Sequence, residues 1–234
     1  MLPLTRHGTR EMVVGTIVLI LLGVGLGWIW WPLSLLVWPV IIWLFAFFRD
    51  PERAIPSSQN LMVSPADGVV SDVEQLPDNE LLGGPCLRIG IFLSVFNVHV
   101  NRSPCEGTVT QIIYKKGKFI NAMSHAAASS DNESNTIVLS DSSGRPVAVV
   151  KQIVGLIARR IICDATVGTS LGRGQRFGMI KFGSRTELYI PMRLGPVAQV
   201  KVGQKVRGAM DVIATLSPEG AATSAGAAAV GASA

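Results

Sequence analysis

Residues 12–48 contain no charged side chain, and this run constrains the fold more than any other feature. So long an apolar stretch has to be buried in a core or lie in a bilayer. Pro32 divides it into Val13–Trp31 and Leu33–Phe48. A helix needs about 20 apolar residues to cross the hydrocarbon layer. The first run meets that length; the second is short unless Pro32 or Arg49 is drawn into the interface. All five tryptophans lie in this stretch, and Trp28, Trp30 and Trp31 cluster at its presumed turn, as in an interfacial aromatic belt. Arg6 and Arg10 precede the run, and Arg49 and Arg53 follow it. The positive-inside rule then favours an α-helical membrane hairpin with both ends cytoplasmic. A re-entrant hairpin dipping into one leaflet fits the same residues. A cleaved signal peptide fits less well, because it has a shorter apolar region and a small-residue cleavage site. In either hairpin the rest of the chain sits at the cytoplasmic face of the inner membrane.

The 234 residues carry a formal net charge of +5, with a pI near 9.4. A basic protein seeks phosphates, on nucleic acid or on anionic lipid. The membrane segment tilts that choice to lipid. Two tyrosines and no interleaved aromatic–basic stripe argue against a nucleic-acid groove. Cys86, Cys105 and Cys163 are odd in number and widely spaced, so they read as small buried thiols of a reducing compartment. His7, His99 and His125 are too scattered for a His-based metal site.

The chain divides into a polar segment at 1–11, the hairpin at 12–48, a Pro-punctuated linker at 49–60, a β-rich domain at 61–216 and an Ala/Gly/Ser-rich tail at 217–234. The tail cannot bury a core and is expected to be disordered. Strands are predicted at Gly68–Val73, Cys86–Leu93, Gly107–Tyr114, Thr136–Ser140, Pro146–Val154, Ile161–Cys163, Arg176–Lys181, Thr186–Pro191 and Asp211–Leu216. Residues 118–130 read as a helix or an irregular lid. Many short strands at this spacing predict a mainly β sandwich or barrel. A faint repeat links the segment from Val167 to Gly178 with the segment from Val200 to Met210, and Pro65–Val70 has a similar flavour.

Several residues admit two readings. Gly183-Ser184, between two apolar runs, is either an ordinary turn or a bond that Ser184 Oγ attacks when a neighbouring base activates it. Asp67, in Pro65-Ala-Asp-Gly68, is either a turn residue or a carboxylate that orients a histidine. On a strand, His99 shares a polar face with Asn97 and Asn101, as a satisfied core histidine or as a catalytic one. Asn132-Glu-Ser-Asn135 reads as a loop cap before a strand. Lys115, Lys116 and Lys118 form a solvated face or a grip on anionic headgroups.

Four motifs carry a resemblance. Ser64-Pro-Ala-Asp-Gly-Val-Val70, Phe92-Leu-Ser-Val-Phe-Asn-Val-His-Val-Asn-Arg-Ser-Pro104, Asn132-Glu-Ser-Asn135 and Phe177-Gly-Met-Ile-Lys-Phe-Gly-Ser184 occur in this order behind a hydrophobic N-terminus. The chain thereby resembles the short bacterial branch of the phosphatidylserine decarboxylases. The resemblance implies a barrel-sandwich domain with lipoyl-like hammerhead turns. It also implies serinolysis of the Gly183–Ser184 bond, giving a β chain 1–183 and an α chain 184–234 held as a heterodimer. Ser184 then becomes a covalent pyruvoyl group, with no pyridoxal phosphate and no metal. Through a Schiff base on that group, phosphatidylserine in the bilayer is converted to phosphatidylethanolamine and carbon dioxide. Carried over residue by residue, the catalytic set is Ser184, His99 and Asp67. Longer family members have a second histidine where this chain has Arg102. His99 then serves both steps, or Asp67 acts with less help, and Arg102 is a candidate for binding the substrate phosphate or carboxylate, with Asn97 and His125 as further substrate-binding candidates.

Rival readings are a non-enzymatic membrane-anchored adaptor on a lipoyl-like domain, and a pyruvoyl decarboxylase for another serine-headgroup lipid. A decarboxylase for a soluble amino acid has no need of the hairpin.

Overall fold

The computed structural model describes residues 3–58, 60–117, 131–155, 160–181 and 183–217. Residues 118–130, with Lys118 and His125, and the tail beyond 217 lie outside them.

The apolar stretch forms an unequal hairpin. Helix α1 spans Thr9–Ile29, a 3-10 stretch follows at Trp31–Leu36, and α2 spans Val37–Phe47. Pro32 falls in the first turn of the 3-10 stretch, where its missing N–H costs nothing. At 1.5 Å per residue α1 is about 30 Å long. Within Arg6–Ile29 an 18-residue window has a mean hydropathy of 2.5, and the segment is long and apolar enough to cross a membrane by length and composition; Trp31–Phe47 is shorter. Glycines let the helices approach: a Cβ on Gly23 would lie 3.0 Å from Val37 Cγ2, and one on Gly15 2.8 Å from Leu44 Cδ2. The outward residues of α1, among them Leu21 and Val24, are more than half exposed.

The β domain follows as β1 (Leu61–Val63), β2 (Gly68–Leu76), β3 (Cys86–Leu93), β4 (Val100–Arg102), β5 (Gly107–Lys115), β6 (Ser134–Ser140), β7 (Pro146–Val154), β8 (Arg160–Cys163), β9 (Ser170–Leu171), β10 (Arg176–Lys181), β11 (Ser184–Pro191), β12 (Pro196–Ala198), β13 (Lys205–Val206) and β14 (Val212–Leu216). An eight-stranded sheet runs β13-β2-β3-β11-β7-β6-β5-β9, and two three-stranded sheets run β1-β14-β12 and β4-β10-β8. The core joins Ile89, Ile91, Leu188 and Val150 of the large sheet to Met62, Ile213 and Ala214 of a small one. Sandwiched β-sheets behind a helical hairpin are the expected architecture. The nine anticipated strands are present. The five others are two or three residues long, too short for an alternating pattern to register.

The sheet order reads alike from both ends, and the sequence explains why. Ser64-Pro65-Ala66-Asp67-Gly68 leads into β2, and Ser103-Pro104-Cys105-Glu106-Gly107 leads into β5. In each copy the serine Oγ donates to the carbonyl two residues on, Ser64 to Ala66 at 2.6 Å and Ser103 to Cys105 at 2.7 Å. The copies bond reciprocally, Val63 N–H to the Pro104 carbonyl and Arg102 N–H to the Pro65 carbonyl, both at 2.9 Å. The Val167 and Val200 repeats supply the edge strands β9 and β13. Gly168 and Gly203, at φ +92° and +86°, donate at 2.8 Å to Val109 and Val70. The faint repeat is therefore one part of an approximate duplication whose centre is the β11–β7 pair.

Candidate active site

Gly183-Ser184 lies at that centre. Ser184 opens β11 and faces Leu93 of β3 and Val154 of β7. It is fully buried, and its Oγ has no hydrogen-bond partner among the described residues. A buried hydroxyl without a partner is costly and marks a place held for chemistry rather than for packing. Gly183 has φ +62°, a left-handed conformation that glycine adopts freely.

His99 meets the peptide that precedes this bond. Its Nε2 accepts the Gly183 N–H at 3.3 Å, and its Nδ1 lies 3.0 Å from the Asn97 carbonyl. Donation from Nδ1 to that carbonyl leaves the Nε2 lone pair facing Gly183. The imidazole is completely buried, and burial lowers its pKa to about 4. The ring of Phe47, from the end of α2, lies 4.4 Å away by centroid. His99 is not on a strand face as the alternation suggested, because β4 begins only at Val100. Asn97 builds the preceding turn, its Oδ1 accepting from Ser94 N–H at 2.9 Å and Ser94 Oγ at 2.7 Å. Asn101, on β4, joins a buried amide chain: it donates to Thr186 Oγ1 at 3.1 Å, and Gln152 donates to it at 2.9 Å.

Asp67 is engaged elsewhere. Its Oδ1 accepts from Gly208 N–H at 2.7 Å and its Oδ2 from Arg53 at 2.8 Å. Burial raises its pKa, outweighing Gly208 and Arg53. The atom facing His99 Nδ1 is thus a backbone carbonyl, whereas the sequence suggested a carboxylate. Asp67 does line, with Ser94, Phe96, Asn97, Lys205 and Arg207, a cavity of about 510 Å³. Arg102, the substrate candidate, has its guanidinium engaged within the protein. It is buried, and its guanidinium donates to Asp50 Oδ1 at 2.7 Å, the Pro51 carbonyl at 3.1 Å and the Gly174 carbonyl at 3.2 Å. It ties the linker to the domain.

Two neighbours were not anticipated as part of the site. Asn132, read as a loop cap, donates from Nδ2 at 2.9 Å to the carbonyl of Val154, the residue opposite Ser184. Arg185 is fully buried against Asp72 and Glu187. The four acidic and basic residues of β2 and β11 gave a sequence signal only in being charges on strands. Among the described residues, no three His, Cys, Asp or Glu side chains gather into a group that could hold a metal.

A buried hydroxyl, a glycine carbonyl before it and a neutral imidazole on the N–H of that same glycine are the parts an internal acyl shift requires. Known proteins agree in naming. A family model described as phosphatidylserine decarboxylase matches residues 41–214. The chain is 45% identical over 218 residues to the phosphatidylserine decarboxylase proenzyme of Cereibacter sphaeroides, covering 92% of this chain and 90% of that one. It is 49% identical over 213 residues to the proenzyme of that name from Granulibacter bethesdensis, covering 89% and 84%. For the Ralstonia nicotianae proenzyme the identity is 45% over 192 residues, covering 82% and 85%. Matches of this extent and identity establish that the chain belongs to the phosphatidylserine decarboxylase family.

Proposed function

We propose that this chain is a self-processing enzyme that decarboxylates phosphatidylserine to phosphatidylethanolamine in phospholipid biosynthesis, with a pyruvoyl group made from Ser184. One observation carries the reading: His99 Nε2 lies on the Gly183 N–H, and the next residue, Ser184, has a buried Oγ with no partner among the described residues.

In processing, Ser184 Oγ adds to the carbonyl carbon of Gly183 while His99 takes its proton. The peptide nitrogen leaves as the amine of Ser184, and Gly183 is left joined through an ester. Loss of the Ser184 α-proton expels the Gly183 carboxylate and leaves a dehydroalanine. Water then releases ammonia, and the new chain 184–234 begins with a pyruvoyl group. The burial that lowers the His99 pKa to about 4 keeps the imidazole neutral and able to accept that proton.

The pyruvoyl ketone supplies an electron sink for the substrate amine as carbon dioxide leaves. The remaining work belongs to this chain. His99 is the group that returns a proton to the substrate α-carbon. The cavity bearing Asp67, Ser94 and Asn97, the residue whose carbonyl meets His99, takes the headgroup, with Lys205 complementing its phosphate while Arg207 pairs with Asp211. Phe96, at the cavity rim, is 72% exposed, and its carbonyl accepts from Arg49 at 2.8 Å, at the foot of the hairpin. These contacts support a site held at the headgroup layer of the inner membrane, on the cytoplasmic side.

The test is intact mass and a denaturing gel of wild type beside Ser184→Ala. Wild type should give chains 1–183 and 184–234, the second lacking a free amino terminus; the variant should stay whole. Processed protein should release carbon dioxide from phosphatidylserine. A wild-type chain that stays intact under all conditions overturns the reading.

A further inference from the structure

Where α1 meets the β domain, a cavity of about 640 Å³ is lined by Arg6, Arg10, Arg160 and Lys181 against a single carboxylate, Glu11. Two of these cations are spoken for. Lys181 is buried and bonds Glu11 at 2.5 Å, and Arg6 lies 3.3 Å from Asp164. Arg10 and Arg160 are exposed and face no carboxylate within ion-pair distance among the described residues. The two arginines come from separate elements, α1 and β8, and β8 is held in place by pairing with β10. They are therefore presented on rigid secondary structure rather than on a loop.

The upper rim of the cavity is apolar. Val13 and Val14 line it and are 54% and 52% exposed. Ile17 and Val18, one turn further along α1, are exposed to a similar degree. Cations at the foot of an apolar helix, with exposed aliphatic side chains directly above, match a ligand that is anionic at one end and hydrocarbon at the other. A soluble anion uses only the lower half of such a site. The cavity shares no lining residue with the one bearing Asp67 and Asn97.

We propose that this cavity binds the phosphate of an anionic phospholipid, held between Arg10 and Arg160 with its acyl chains along Val13, Val14 and Ile17. The proposal rests on the hairpin lying in a bilayer, but not on any chemistry at Ser184. The site fixes the height and tilt at which α1 leaves the domain, because its ligand is anchored in the same leaflet.

The experiment uses full-length Ser184→Ala protein in neutral detergent, so that no turnover intervenes. Retention of phosphatidylglycerol and of phosphatidylcholine is titrated by native mass spectrometry. The variants are Arg10→Gln/Arg160→Gln and, as an equal charge loss at remote loops, Arg145→Gln/Lys201→Gln. All four side chains are exposed, so folding should be unaffected. The expected result is tighter binding of phosphatidylglycerol than of phosphatidylcholine. That preference should fall about tenfold to thirtyfold in Arg10→Gln/Arg160→Gln, at the usual worth of a basic residue near an anionic surface, and persist in the remote variant. Equal losses in both variants overturn the site in favour of net charge. Complete displacement of phosphatidylglycerol by millimolar inorganic phosphate overturns the lipid as its ligand. A protein that binds neither lipid overturns the membrane reading itself, whereas binding indifferent to headgroup charge overturns only this proposal.

Discussion

Phe47, the last residue of α2, stacks obliquely on His99, with ring centroids 4.4 Å apart and planes tilted by 34°. The apolar hairpin and the candidate processing site therefore share a wall. Phe47 and Phe48 are both buried in a cluster with Met12 of α1 and Met179 of β10. Gly8 admits this packing, since a Cβ there would lie 2.2 Å from the Phe48 ring. Backbone bonds complete the joint: Thr5 N–H donates to the Phe48 carbonyl at 2.9 Å and Asp50 N–H to the Pro3 carbonyl at 2.7 Å. The apolar hairpin is thus the element that covers His99.

Truncation of that wall should be felt in both roles. Phe47→Ala removes a side chain that is 1% exposed, and losses of this kind cost about 3–5 kcal/mol. The vacated space borders His99, so its desolvation should weaken and its pKa should rise from about 4 toward 6.5. Unfolding monitored in detergent checks the first effect. The pH midpoint of processing checks the second. A variant that is destabilised with an unchanged midpoint would mean that Phe47 packs against His99 without tuning it.

The pH dependence of the wild type follows from the same burial. Above about pH 6.5 His99 is neutral both folded and unfolded. Between 6.5 and about 4 the unfolded chain binds a proton there and the folded chain does not, so stability falls as pH falls. Below the folded value the loss from this group levels off at roughly 3 kcal/mol. Because processing needs the neutral ring, its rate should halve near pH 4, and a midpoint at 6.5 would contradict a buried imidazole. His99→Asn should abolish the acid limb together with most of the processing.

Much of this arrangement was legible in the sequence. Long strands such as β3 and β7 announce themselves by composition and bounding turns, and the charge-free run announces an apolar helical hairpin. Ser184 and His99 were singled out by resemblance, and the fold brings their segments together. Their partners were not, because they depend on which loops the fold brings together. Asp67 and its neighbour Gly208 are far apart in sequence yet joined at 2.7 Å. Arg102 looked available, and only the linker's return over it, through Asp50, makes it structural. The second Ser-Pro-x-x-Gly copy was readable but is masked by the change from Asp67 to Glu106 and by short edge strands.

The glycine before the nucleophile gives a separable test. Gly183 has φ +62°, and a Cβ there would meet nothing closer than Val95 Cγ1 at 3.9 Å. Space is therefore available, and only backbone conformation resists a side chain, at about 1–2 kcal/mol. Gly183→Ala should fold with a stability loss of that order. Processing should slow about tenfold or more as the peptide shifts from His99. Timed gels after synthesis give the rate, and processing at the wild-type rate would mean that the left-handed turn is incidental.

Arg185 tests what holds the cut strand in place. Its side chain is fully buried; Nε donates to Glu187 Oε1 at 2.8 Å, Nη1 to Ser71 Oγ at 2.6 Å and Nη2 to Asp72 Oδ2 at 2.5 Å. Tyr189 OH donates to Glu187 Oε2 at 2.6 Å. Gly90 makes the room, since a Cβ there would lie 2.1 Å from Arg185 Nη2. Burial opposes the charge on Arg185, but Glu187 and Asp72 hold it, and its pKa is raised overall. Removing one partner of a buried ionic group costs about 3–5 kcal/mol, so Arg185→Met should destabilise the domain by that much. Arg185→Lys should recover only part of it, because one ammonium cannot reach three acceptors set around a planar fork. After processing, Ser184 is a free chain end and Arg185 is the first residue that anchors it. Hydrogen exchange of the processed protein should therefore rise at residues 185–188 in Arg185→Lys well before global unfolding. Exchange that rises evenly over the whole sheet would instead assign Arg185 to general stability alone.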